Sequence, residues 1–175
     1  SRKGLLENDL FLTSALVDLY AKWGFLNKAR EIFDLILIRN IATWTALLSG
    51  YAEHGRGHEA LGNLERMKVE SISPNMKTYV SALKACGSIR ALEKGKEIHN
   101  EIVGRGFLEK NTILGNALVD MYVKCGLLGK AQNVFNELPK RNIVTWTALI
   151  TGYVQHGLVN DALDCFGKML LEGIF

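Results

Sequence analysis

An all-α fold of stacked helix hairpins is predicted by three observations. The segment Ile41–Gly50, IATWTALLSG, returns as Ile143–Gly152, IVTWTALITG, and a gap-free overlay of residues 1–73 on 103–175 gives 32 identities. Apolar residues recur at spacings of three and four rather than two, the period of a helix face and not of a strand. Glycines and prolines punctuate the pattern at short intervals, so each helix is short. A single short hairpin cannot bury both of its apolar faces, so neighbouring hairpins stack and each contacts mainly the next.

Taken in order, residues 1–9 read as the tail of a preceding repeat, because SRKGLLEND aligns with VGRGFLEKN at 103–111. Residues 10–40 form the first full motif. Ala15, Leu16, Leu19 and Tyr20 give its first helix an apolar stripe, Gly24 ends that helix, and a second helix carries Ala29, Ile32 and Phe33. Residues 41–75 form the second motif, with a stripe of Trp44, Leu47, Leu48 and Tyr51, and Pro74 stops its second helix from continuing. Residues 76–111 form the third. It lacks the Trp-Thr-Ala-Leu signature but keeps Tyr79, Leu83 and Cys86, then Leu92, Ile98, Ile102 and Val103, at helical spacing. Residues 112–142 repeat the first motif, and 143–175 repeat the second, stopping two residues short of it. The chain lacks an initial Met and both ends fall inside repeats, so it reads as a fragment of a longer protein.

Composition sets bounds. With 175 residues, 48% of them hydrophobic, the chain can bury a sizeable core. A net charge of +3 is compatible with a polyanionic partner without pointing to one. No run of 18 apolar residues is present, so no membrane partner is expected. Cys86, Cys125 and Cys165 lie 39 and 40 residues apart, with no CxxC pair and no HExxH, so no metal or other cofactor is expected and the thiols read as buried and reduced. No nucleophile–base constellation, phosphate-cradling glycine loop or recurring carboxylate pair is apparent. The segment therefore reads as non-enzymatic, without a small-molecule substrate.

Motif lengths of 31, 35 and 36 residues separate this chain from a fixed 34-residue tetratricopeptide pattern. The short motifs carry SALVDLYAKWGFLNKAREIFD and NALVDMYVKCGLLGKAQNVFNELPKRN; the ordinary ones carry TWTALLSGYAEHGRGHEAL and TWTALITGYVQHGLVNDAL; the long one carries TYVSALKACGSIRALEKGKEIH. On these residues the chain resembles the plant pentatricopeptide repeat family, in its subclass of alternating ordinary, long and short motifs. The resemblance covers essentially the whole chain. It implies a right-handed superhelical solenoid that binds single-stranded RNA, one base per repeat, through two or three side chains each.

The resemblance further implies which side chains read the bases. The fifth residues of the motifs are Ser14, Thr45, Val80, Asn116 and Thr147, and the last residues are Asn40, Asn75, Asn111 and Asn142, with Asp9 ending the preceding repeat. All but Val80 can hydrogen-bond a base edge. The second residues, Phe11, Ala42, Lys77, Ile113 and Val144, would pack beside the bases; Ala42 offers little area there, and Lys77 offers charge. The family's pairing preferences imply a target of 5′-A-A-N-Y-R-3′. Asparagines at the borders between helices equally suit N-caps, since their side chains accept from free backbone N–H groups.

Other residues are weighed against simple packing. Trp44 and Trp146 open an apolar stripe and read as core rather than as base-stacking platforms; Trp23, in the place of Cys125, also reads as packing. His54 and His156 stand at helix C-termini, where a solvated or dipole-stabilising histidine is ordinary, and His99 has no evident partner. Lys22 and Lys124, and Lys28 and Lys130, recur with the repeat; with Arg30 they suit either a phosphate-facing or a merely solvated surface.

The function expected is that of a specificity module in an RNA-editing or RNA-processing factor of mitochondria or chloroplasts. Members of this subclass often end in a deaminase-like domain, whose H-x-E…P-C-x-x-C signature is absent from these residues. The alternative is a protein-interaction solenoid that recruits editing-complex proteins, with the long motif around Val80 as its surface.

Overall fold

The computed structural model describes residues 10–175. Within them are ten α-helices and one 3-10 turn, and no strand: α1 (Leu10–Lys22), α2 (Leu26–Leu35), α3 (Ile41–Glu53), α4 (Gly57–Val69), α5 (Met76–Ser88), α6 (Leu92–Gly104), the 3-10 turn Leu108–Lys110, α7 (Thr112–Lys124), α8 (Leu128–Glu137), α9 (Ile143–Gln155) and α10 (Val159–Leu171). The tail at residues 1–9, with Asp9, lies outside the described residues. Each described motif is thus a pair of short helices joined by a turn, as the period requires. Two compact units divide inside α5, between Ala85 and Cys86.

The helix ends follow from local chemistry. Asn40 and Asn142 close capping boxes on α3 and α9: each side chain accepts from the N–H three residues on, and Thr43 or Thr145 accepts from the Asn backbone in return. At the other end of the first helices, the chain turns through a residue with positive φ. It is glycine at Gly24, Gly55, Gly126 and Gly157 (φ 73° to 78°), where the missing Cβ removes the cost of the left-handed conformation. In the third hairpin the same place is held by Arg90 at φ 53°. The N–H of the next residue then bonds back to the carbonyl five residues earlier, as in Phe25 to Tyr20 and Leu127 to Tyr122, both at 2.9 Å.

In the first unit, α3 packs against α1, α2 and α4. Every residue from Thr43 to Ala52 is buried, because the helix has neighbours on all sides. Trp44, fully buried, meets Phe33 edge-on with ring centroids 4.6 Å apart, which locks α3 to α2. Gly50 permits a close helix approach: a Cβ there would stand 2.6 Å from the Ala21 Cβ. The expected stripe on α1 is displaced. Thr13, Val17 and Ala21 are buried, Leu16 and Tyr20 are half-buried, and Ala15 and Leu19 are exposed. The reason is that α1 packs against α2 and α3 together, and the row that this buries is the 13-17-21 row.

In the second unit, α9 packs against α7, α8 and α10. Trp146 and Phe135 repeat the edge-on contact at 4.6 Å, and Gly152 faces the methyls of Val123. His99 is not without a partner. Its Nδ1 lies 2.8 Å from the Tyr122 hydroxyl, and the rings are edge-on. Burial pushes the His99 pKa down. Two further expectations are corrected. Trp23 is 73% exposed, because it follows the last residue of α1, off the buried row, and Cys125 is half-buried rather than buried.

Candidate nucleic-acid interface

The N-terminal turns of α1, α3, α5, α7 and α9 carry the three places that the sequence singles out. The five second-position side chains are all exposed or half-exposed at the helix surface: Phe11, Ala42, Lys77, Ile113 and Val144. Three of them are large apolar groups held in water, with Phe11 86% exposed. Such groups cost solvation in isolation and favour a flat apolar partner such as a base face.

The fifth-position side chains lie one turn further along. Ser14, Val80 and Asn116 are half-buried, Thr147 is exposed, and Thr45 is only 3% exposed. The Thr45 hydroxyl is 2.8 Å from the Thr78 hydroxyl. The Thr147 hydroxyl instead donates to the Ile143 carbonyl at 2.7 Å. Val80 brings no polar atom.

The border asparagines act as caps. Asn40 accepts from Thr43 N–H at 2.9 Å, Asn75 from Thr78 N–H at 2.9 Å, Asn111 from Leu114 N–H at 3.1 Å and Asn142 from Thr145 N–H at 3.0 Å. Capping and base reading are compatible, because they use different atoms. The cap commits Oδ1 to the backbone and so fixes the amide orientation. In Asn40, Asn75 and Asn142 the Nδ2 group remains as a donor for a base edge.

Within each unit one pair of places is joined. In the first, Thr45 reaches Asn75 through Thr78, whose hydroxyl is 2.9 Å from Asn75 Oδ1. In the second, Asn116 Nδ2 donates to Asn142 Oδ1 at 3.3 Å, and the Thr145 hydroxyl donates to Asn116 Oδ1. Ser14 and Asn40 belong to the first unit; Val80 lies in the first and Asn111 in the second. An open cleft of about 350 Å³ in the second unit is lined by Val144 and Thr147 together with Asp120, Val123, Lys124, Ile143, Ala148, Thr151 and Gln155.

The threonines Thr43, Thr78 and Thr145 are fully buried and were not among the residues singled out by sequence. The pattern Asn-x-x-Thr at three of the four borders is the signal that marks them.

The cations singled out by sequence are largely engaged. Lys22 pairs with Asp18 at 2.6 Å, Lys124 with Asp120 at 2.7 Å and Arg30 with Asp34 at 2.7 Å, while Lys28 stands over the Tyr20 and Phe25 rings. Exposed pairs of this kind add little stability, and each carboxylate weakens the pull of its cation on a phosphate. His54 and His156 cap α3 and α9, each ring Nδ1 lying 2.9 Å from the carbonyl of Gly50 or Gly152. Burial raises the pKa of all three cysteines, that of Cys86 to about 12, so these thiols stay protonated. Among the described residues no group of three or more His, Cys, Asp and Glu could hold a metal ion, and no helix is long and apolar enough to cross a membrane.

Residues 39–88 match the PPR repeat family, and residues 12–41, 116–143 and 144–174 each match the PPR repeat. The chain belongs to the pentatricopeptide repeat family. It is 40% identical over 172 residues to a chloroplastic pentatricopeptide repeat-containing protein of Arabidopsis thaliana, covering 98% of this chain and 28% of that protein. A mitochondrial relative from the same plant is 34% identical over 173 residues, covering 99% of this chain and 31% of that protein. This PPR chain therefore spans under a third of the length of these relatives. Among solved structures, the fold matches PPR10 in complex with an 18-nt psaJ RNA element, with a TM-score of 0.81 at 20% identity over 95% of this chain and 26% of that one. It also matches the PPR domain of Arabidopsis thaliana protein-only RNase P 1 in complex with tRNA, with a TM-score of 0.71 at 12% identity over 90% of this chain and 87% of that one. The all-α PPR solenoid fold expected from the repeat is thus the fold observed.

Proposed function

We propose that this PPR chain binds single-stranded RNA sequence-specifically, one base per motif, over motifs at 10–40, 41–75, 76–111, 112–142 and 143–175. The observation that carries the reading is local. At the N-terminal turn of each first helix, a solvent-facing second residue stands beside a fifth residue that is polar in all motifs but the third. In the second and fourth motifs that residue is linked by hydrogen bonds to the capping asparagine. The exposed side chains supply stacking area, and the polar ones supply edge recognition. The RNA element held by PPR10 in its complex supports the same class of partner.

The finer reading assigns the chain to the subclass with alternating ordinary, long and short motifs. It acts there as the specificity module of an RNA-editing or RNA-processing factor in chloroplasts or mitochondria, the compartments that the names of its relatives carry. The target is 5′-A-A-N-Y-R-3′, with Ser14 and Asn40 on the first adenine, Thr45 and Asn75 on the second, and Asn116 and Asn142 on the pyrimidine. Val80 leaves the third base unread. Its apolar side chain favours a second role for the third motif, as a contact surface for editing-complex proteins.

Fluorescence anisotropy at fixed salt tests the reading. RNA containing AAUUA should bind more tightly than RNA containing AGUUA by about tenfold, the scale of one base-edge contact. Thr45→Asn should move the preference at the second base toward a pyrimidine. Equal binding of all sequences by both proteins would refute base reading.

A further inference from the structure

We propose that the buried threonine at the third place of the following motif sets base specificity as a positioning residue. Its one hydroxyl proton decides what its partners present to a base: Thr78 acts for the second motif and Thr145 for the fourth. The inference rests on the base-reading function above.

A threonine hydroxyl has one proton to donate and two lone pairs to accept with. Thr78 Oγ1 accepts from Asn75 N–H at 3.3 Å and lies 2.9 Å from Asn75 Oδ1 and 2.8 Å from Thr45 Oγ1. The amide oxygen can only accept, so the Thr78 proton goes to Asn75. The Thr45 hydroxyl then donates its own proton to Thr78, and the polar function left on Thr45, itself only 3% exposed, is a lone pair. A lone pair accepts from an exocyclic amino group such as that of adenine.

In the fourth motif the same threonine meets an amide instead. Thr145 Oγ1 accepts from Asn142 N–H at 3.2 Å and faces two amide oxygens, Asn142 Oδ1 at 3.0 Å and, closer, Asn116 Oδ1, to which its one proton goes. Asn142 Oδ1 is already supplied by Thr145 N–H at 3.0 Å and Asn116 Nδ2 at 3.3 Å. Asn116 is thereby held with its oxygen toward Thr145 and its nitrogen toward Asn142. The flipped amide would set two carbonyl oxygens against each other. What remains toward a base is N–H from Asn116 and Asn142, which suits the carbonyl oxygens of a pyrimidine. The same residue type thus yields an acceptor face in one motif and a donor face in the other.

The pairing of residue types along the chain is an independent observation. The polar fifth residues Ser14, Thr45 and Asn116 are followed, at the third place of the next motif, by Thr43, Thr78 and Thr145. The apolar Val80 is followed by Leu114. Capping alone does not require the threonine, since Asn111 caps α7 with leucine at that place.

The test is anisotropy with the full chain on RNAs containing AAUUA and AAUAA, which differ at the fourth base. The wild type should favour uracil about tenfold. Thr145→Val, which keeps the shape and removes the hydroxyl, should bring that ratio close to one, whereas Thr145→Ser should keep it. A purely structural loss would weaken both RNAs alike and leave the ratio unchanged. Thr78→Val, read at the second base with AAUUA and AGUUA, gives the same measurement should Thr145→Val fold poorly. A wild-type ratio retained in the valine variants would overturn the inference while leaving base reading intact. Asn116→Thr separates the two ideas: it should shift the fourth base toward adenine, and its failure to do so would overturn base reading and this inference with it.

Discussion

Replacing Gly50 by alanine tests how the first helices of adjacent motifs approach. A Cβ at Gly50 would stand 2.6 Å from the Ala21 Cβ, 3.0 Å from its Cα and 3.1 Å from its carbonyl oxygen. Two of those three atoms are backbone, so no side-chain rotation relieves the overlap. Bringing the shortest contact from 2.6 Å to an ordinary 3.4 Å needs α1 and α3 to separate by about 0.8 Å. Overpacking of this kind costs about 1–3 kcal/mol, against a helix-propensity gain of about 1 kcal/mol for alanine over glycine. The net expectation is a destabilisation of up to roughly 2 kcal/mol. Two controls sharpen it. Gly152→Ala makes the repeat-equivalent change, but the neighbours there are Val123 methyls at 2.8 Å and a Leu128 methyl at 3.2 Å, which can rotate, so its cost should be smaller. Gly62→Ala meets nothing within 4 Å inside α4 and should stabilise by about 0.5–1 kcal/mol. The assay is amide hydrogen exchange read on the backbones of α3, α4 and α9, which resolves local stability in a repeat protein that need not unfold in one step. A Gly50→Ala protein as protected in α3 as the wild type would refute the reasoning, as would Gly152→Ala costing more than Gly50→Ala.

Two further outcomes follow from the same structure. Arg90 holds the left-handed turn that glycine holds in the other hairpins, so Arg90→Gly should raise stability by about 1 kcal/mol in urea unfolding; a loss would show that the Arg90 side chain outweighs its backbone cost. Burial lowers the folded pKa of His99 below its ordinary 6.5, so the unfolded chain binds the proton more readily. The His99 contribution is therefore fully present above pH 6.5 and lost as pH falls through the lowered folded value, and protection of α6 and α7 should drop over that window in the wild type but stay flatter in His99→Gln.

Much of this was legible in the residues. The internal repeat, glycine at the turns and asparagine at the borders determine helix number, helix ends and the all-α class, because each depends on groups within a few residues of one another. Trp44 and Trp146 were legible as core because they open an apolar stripe that recurs with the repeat; their edge-on contacts with Phe33 and Phe135 were not. The family pattern marked the second-position places, and the structure finds their side chains exposed.

What only the tertiary structure decided lies between helices. The buried row of α1 is set by two neighbours at once, so its own periodicity pointed to Ala15, Leu16, Leu19 and Tyr20 rather than to Thr13, Val17 and Ala21. His99 and Tyr122 are 23 residues apart, and nothing local announces their bond. The link from Thr45 through Thr78 to Asn75 joins α3 to the start of α5. Sequence determined that a polar residue stands at each of those places; packing decided which proton points where, because a hydroxyl takes its direction from partners that only the folded chain brings within about 3 Å.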